Sequence, residues 1–241
     1  MKINVIDKLK GIISSLGYYL RLIINKTKRI GQELRYELIS VSPLSGPIKN
    51  KGCLFIHIPK AAGSSLSLTL YGYQVGHRKY RDIYVANKKQ VDKLFSFTVV
   101  RHPIDRFISA YKFLNSGGMN EGDFNYKMRV LDKYKDINDF VEKADVDTLM
   151  EKVHFHPQYT FICDANGFPM VDYIGRYEKL DEVASYISKV IDEKFEIPLI
   201  NKTKISTEKV DEFELSEKSK LKLQTLYEKD FSMFGYSIDK I

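Results

Sequence analysis

The sequence predicts an α/β fold: a central parallel β-sheet with helices on both faces. Two observations carry that prediction. Residues 53–58 (CLFIHI) and 94–100 (LFSFTVV) are continuous apolar runs, the pattern of strands buried on both sides. Each is followed by a short polar loop and then by apolar residues at helical spacing, and strands alternating with helices build parallel sheets. A chain of 241 residues gives one such domain a full core.

The elements follow in order. Residues 1–50 are expected to form a basic, amphipathic N-terminal helical region and a linker, with the main domain over residues 51–241. Ile6, Leu9, Ile13, Leu16 and Leu20 fall at helical spacing beside Lys8, Lys10 and Arg21. Two readings stand for this helix: an interfacial helix on an anionic membrane, or a helix packed on the core or on a partner. Its apolar stretch is interrupted by Arg21 and is short of the ~20 residues that span a bilayer. Pro43, Ser45, Gly46 and Pro47 mark the linker. After the first strand, Leu66, Leu68 and Leu70 start a helix. After the second, Pro103 suits a first helical turn, Phe107, Ala110, Tyr111 and Leu114 continue it, and Gly117 and Gly118 end it. Residues 115–152 read as loops and short helices. Residues 171–174 (VDYI) read as a short strand, and residues 180–194 and 216–232 as helices.

Charge narrows the partners. The net charge is +7, but residues 1–37 hold eight Lys and Arg against three acidic residues, so the rest carries a surplus of only two. A near-neutral body argues against a nucleic-acid binder. The two cysteines, Cys53 and Cys163, are far apart in sequence and suit a reducing compartment. A cytoplasmic protein is expected, with peripheral contact at the inner membrane face through residues 1–37. Nothing in the sequence fixes its oligomeric state.

The chemistry concentrates in residues 59–65 (PKAAGSS). A loop between a parallel strand and a helix turns free backbone N–H groups and a partial positive charge toward one spot, a ready anion site. Gly63 lets backbone approach an oxyanion, Ser64 and Ser65 offer hydroxyls, and Lys60 offers a mobile charge. The loop lacks the GxxxxGK[ST] pattern, which disfavours an ordinary phosphate-loop kinase. Arg101 ends the second strand, where ligands of open parallel sheets bind, and Arg106 and Ser109 follow on the next helix. Two anion sites at neighbouring strand ends suit a nucleotide carrying phosphates at two positions.

Six ordered strings then resemble the sulfotransferase family, in its carbohydrate branch of heparan 2-O, chondroitin and dermatan enzymes and bacterial relatives. They are FIHIPKAAGSSL (residues 55–66), VVRHPIDRFISAY (99–111), HFHPQ (154–158), VDYIGRYEKL (171–180), IPLINKT (197–203) and LYEKDFSMFGY (226–236). The resemblance implies a three-layer, P-loop-like α/β sandwich. It also implies sulfuryl transfer from 3'-phosphoadenosine 5'-phosphosulfate (PAPS) to a carbohydrate hydroxyl, on a polysaccharide or glycolipid precursor. Lys60, Ala62, Gly63, Ser64 and Ser65 would hold the 5'-phosphosulfate, Arg101 and Ser109 the 3'-phosphate, and Lys202 would lie near the nucleotide. Lys60 would also be catalytic, by stabilising the leaving phosphate.

The acceptor needs a base, and five histidines are available. His77, in YGYQVGHRKY (71–80), is the expected base. His154, His156 and Arg78 are the expected acceptor contacts, His57 is expected to be structural, and His102 is set aside. Glu178 is expected to anchor a loop. No metal is required. Two other readings remain: a phosphate-loop kinase or nucleotide transferase, and a non-catalytic glycan- or membrane-binding protein on the same fold.

Overall fold

The computed structural model describes residues 44, 46–197 and 213–237. The helix expected within residues 1–37 lies outside them. Three parallel strands form the sheet, in the order β1 (Cys53–Ile56), β2 (Phe95–Val100) and β3 (Tyr173–Arg176). Cys53 pairs with Phe95 and Ile56 with Thr98, while Phe97 pairs with Tyr173 and Val100 with Arg176. β1 is buried along its whole length and β2 from Ser96 onward, which is why both read as unbroken apolar runs. Thr98 adds a buried Oγ1 hydrogen bond to Ile56 O at 2.8 Å.

β3 lies two residues downstream of the expected 171–174, and Asp172 is the reason. Its carboxylate accepts both the N–H and the hydroxyl of Ser96 at 2.7 Å, and Asp172 N–H donates to Ser96 O at 2.9 Å. The side chain thus stands in for a strand partner, and regular pairing begins only at Tyr173. Likewise His57 and Ile58 stay buried but lie beyond the ladder, which ends two residues early as the chain approaches Pro59.

Helices surround the sheet: α1 (Pro47–Lys51), α2 (Gly63–Tyr71), α3 (Tyr80–Val91), α4 (Pro103–Asn115) and, after β3, α9 (Leu180–Ile191). Leu44 and Ile48 are buried with the sheet, so the folded unit takes in residues before 51. α3 is a helix where no helix was expected. Only Tyr80, Ile83 and Val91 are buried along it, too sparse a stripe to show as periodicity.

Residues 115–152, expected as loops and short helices, build a lobe of their own: α5 (Glu121–Arg129), α6 (Ile137–Lys143) and α7 (Val146–Met150). Each begins at an acceptor side chain, Asn120, Asp136 or Asp145, that takes the N–H three residues on at 2.7–2.9 Å. With α4, α10 (Glu217–Leu226) and α11 (Glu228–Phe234) they enclose a second core around Phe107, Tyr126, Phe140, Phe155 and Tyr227. α10 and α11 replace the single helix expected over 216–232. The break falls at Tyr227 (φ −109°, ψ 19°), which is fully buried and donates its hydroxyl to Phe155 O at 2.7 Å. A four-residue helix, α8 (Tyr159–Ile162), connects this core back to the sheet. No helix among the described residues is long and apolar enough to cross a membrane.

β3 presses on α9 at Gly175, where an added Cβ would stand 2.5 Å from Val183 Cγ2. Gly175→Ala is therefore expected to destabilise the protein by about 1–3 kcal/mol, read as a lower urea midpoint at unchanged slope. An unchanged midpoint would mean that α9 shifts away freely.

Candidate active site

β1 and β2 run out side by side, and each delivers a cation. Beyond β1 the chain turns through residues 57–62 into α2. Lys60 (φ 67°) and Ala62 (φ 62°) both adopt left-handed backbone conformations, which side-chain-bearing residues hold at a cost of roughly 1–2 kcal/mol each. Ala61 between them does not. Such alternation is that of a backbone nest, whose successive N–H groups face one concavity. Leu66 N–H finds Ala62 O at 3.1 Å, while the amides of Gly63, Ser64 and Ser65 have no acceptor among the described residues. The start of α2 adds its partial positive charge.

Packing gives a further reason for glycine at position 63. A Cβ there would fall 1.7 Å from Cδ2 of His57. The space belongs to the His57 ring, whose Nδ1–H donates to Val75 O at 3.0 Å.

Beyond β2, Arg101 follows the Val100–Arg176 pair, and its guanidinium lies 4.4 Å from the centre of the Tyr177 ring. Its Nη1 donates to Lys60 O at 3.5 Å. Lys60 Nζ stands 4.3 Å from the centre of the Phe113 ring. Burial, then the neighbouring Arg101, hold the Lys60 ammonium below the ordinary lysine value. Neither cation has a carboxylate partner among the described residues. Converging cations without a counter-charge, beside unpaired amides, make a site for a polyanion.

Three histidines close the site from the other side. The His77 ring is 4.3 Å from that of His57 and 5.6 Å from that of His154, centre to centre, and His154 lies 5.1 Å from Phe113. His77, His154, Phe113 and Lys60 thus form a continuous row, and His57 joins His77 to Gly63. His77 Nδ1–H donates to His57 O at 3.4 Å, which leaves Nε2 as the basic nitrogen. Burial lowers the pKa of His77 from the usual histidine value. Burial followed by the charge of His77 lowers those of His57 and His154 to about 3.

The remaining candidates are placed as follows. Ser64 and Ser109 are half-buried, on α2 and α4, and Ser65 is buried. Arg78 follows His77 and is half-buried. His156 is held by the fold: its Nε2–H donates to Met150 O at 2.8 Å, and its ring packs near Phe161, away from the histidine row. Lys202 lies outside the described residues. Glu178 is an anchor, accepting His102 N–H and the Tyr236 hydroxyl at 2.8 Å each. Among the described residues no group of three or more His, Cys, Asp or Glu is placed to hold a metal ion.

A family model described as the sulfotransferase family matches residues 49–237. The chain belongs to the sulfotransferase family. It is a transferase, and its class of chemistry is sulfuryl transfer. Comparison with curated proteins and with solved structures found no match.

The geometry of this sulfotransferase also shows what the motifs alone missed. Arg106 is fully buried and holds the carbonyls of His154 (2.9 Å) and His156 (2.6 Å), while Tyr227 takes that of Phe155 between them. Three consecutive carbonyls are thus fixed, and with them the backbone that carries His154. Phe113 and Tyr177 wall the two cations. Their only sequence signal was an aromatic close to each basic motif.

The histidine row sets a pH dependence of stability. Unfolded, His57 and His154 titrate near 6.5, and folded, near 3. Stability is therefore full above about pH 6.5 and falls as pH drops toward the folded values, because only the unfolded chain takes up the protons. The slope is up to about 1.4 kcal/mol per pH unit for each histidine. His57→Gln, which keeps an N–H for Val75 O, is expected to remove about half of that slope in urea midpoints measured between about pH 6.5 and 4. An unchanged slope would mean that these imidazoles are protonated in the fold.

Proposed function

We propose that this sulfotransferase moves the sulfuryl group of PAPS to a carbohydrate hydroxyl, on a P-loop-like three-layer sandwich. The observation that carries this reading is the meeting of two parts in one place. The anion nest of residues 60–65 and a neutral, half-buried histidine lie on the same side of the strand ends, joined through the His57–Gly63 contact and the Phe113–His154 contact. A donor loop without a base would suit a binding module, and a base without a donor loop a hydrolase.

The residues fit the donor. The loop amides with Lys60, Ala62, Gly63, Ser64 and Ser65 would hold the 5'-phosphosulfate, and Arg101 with Ser109 the 3'-phosphate. PAPS supplies a sulfuryl group on a phosphate leaving group, so transfer breaks one S–O bond, to phosphate, and forms another, to the acceptor oxygen. Lys60 and the free amides would stabilise the charge left on the phosphate. His77 Nε2 would take the acceptor proton. Arg78 and His154 would contact the acceptor, and the amphipathic segment within residues 1–37 would place the enzyme beside a membrane-linked saccharide.

Calorimetric titration of 3'-phosphoadenosine 5'-phosphate tests the donor site. Wild type is expected to bind it in preference to ATP, with Lys60→Ala and Arg101→Ala weaker by about tenfold or more. A folded wild type that does not bind sinks the reading. His77→Ala is expected to keep that affinity and lose turnover of a saccharide acceptor by about 10²–10⁴-fold. Because His77 acts when neutral and burial lowers its pKa, the acid limb of kcat/KM is expected below 6.5, the ordinary histidine value. A limb above that value would point to a different base.

A further inference from the structure

The backbone of Arg101 is gripped by a side chain. Gln158 Oε1 accepts Arg101 N–H at 2.9 Å, and Gln158 Nε2 donates to Arg101 O at 2.8 Å. One amide side chain thus copies the two-bond exchange that a neighbouring strand would make, at the residue where β2 has run past its ladder. The grip is itself braced. Gln158 is fully buried, and the Asp230 carboxylate, also fully buried, accepts Gln158 N–H at 2.7 Å and Tyr159 N–H at 2.9 Å. Burial raises the Asp230 carboxyl above the ordinary aspartate value, and Arg106 and these two N–H groups draw it back.

Arg101 has few other restraints. Its side chain rests on the Tyr177 ring and reaches Lys60 O only at 3.5 Å. The guanidinium is steered by the Tyr177 ring and by the point from which the backbone delivers the side chain, and Gln158 fixes that point.

We infer that Gln158 is a positioning residue for the donor nucleotide: its amide fixes the backbone of Arg101 so that the guanidinium faces the loop of residues 60–65. The inference rests on Arg101 being the donor-phosphate contact. It predicts an effect confined to the donor, because the side-chain and N–H hydrogen bonds of Gln158 run to Arg101 and Asp230 and, among the described residues, none runs to the histidine row.

The test is Gln158→Met, which keeps length and loses both hydrogen bonds, beside wild type and Arg101→Ala. Calorimetry with 3'-phosphoadenosine 5'-phosphate is combined with steady-state kinetics on both substrates. The expected result is a donor KM and product Kd raised about tenfold or more, with acceptor KM and the acid limb of the pH profile unmoved. Donor affinity within about twofold of wild type overturns the inference. So does a parallel loss toward donor and acceptor, which would mark a merely structural residue. Gln158→Glu provides a second variant, because an ionised carboxylate still accepts from Arg101 N–H but cannot donate to Arg101 O. Failure of both variants to fold also overturns the inference. If wild type itself fails to bind the nucleotide, the proposed function falls. If wild type binds, Arg101→Ala loses binding and Gln158→Met does not, only the role of Gln158 falls.

Discussion

The imidazole of His57 occupies the space that a side chain at position 63 would need. That packing sits at the turn of the loop. The ring is pinned by Val75 O on one side and by Gly63 on the other, and the turn from β1 into α2 beside it is made with Lys60 and Ala62 in left-handed conformations. Strain of this kind persists only where the surroundings over-determine it. What it gains is a row of amides with no acceptor among the described residues. The same ring touches His77, and the backbone carbonyl of His57 accepts the His77 Nδ1–H, so one buried residue packs against the loop and orients His77.

A second set of constraints is polar and buried. Arg106, Tyr227, Gln158 and Asp230 are all fully buried, and each holds backbone of residues 154–159 or of Arg101. Unpaired, such groups would be severely destabilising. Paired, they leave little freedom to the strip that runs from His154, beside His77, to Gln158, beside Arg101. The C-terminal helices therefore do more than close the second core, because they supply Tyr227 and Asp230, which hold that strip in place.

Local pattern explains which parts of this were legible in the sequence. β1 and β2 were legible because strands buried on both faces are unbroken apolar runs, and the loop because Lys60, Gly63, Ser64 and Ser65 fall between a strand and a helix. β3 was legible only to within two residues, since the displacement comes from Asp172 bonding to Ser96, far away in the chain. α3 hid because it buries only a few side chains. α5, α6 and α7 carried readable caps in Asn120, Asp136 and Asp145, but their apolar residues looked scattered until the second core gathered them. His77 was singled out by its place in a motif. Its contacts with His57, 20 residues earlier, and with His154, far along the chain, follow from tertiary packing, which no local window contains.

The brace on Gln158 has a consequence for how the enzyme comes into being. Its anchor, Asp230, stands 72 residues downstream in α11. During synthesis the loop, Arg101 and the histidines all emerge well before that helix. A nascent chain can pair β1 with β2 and bury much of the first core, yet Arg101 stays unbraced until α11 arrives and docks. Long-range contacts of this kind close late, after the entropy of the intervening loop has been overcome. Assembly of this part of the fold is thus timed by the C-terminal helices: the loop, Arg101 and the histidines are made first, and their bracing comes with the last described helix.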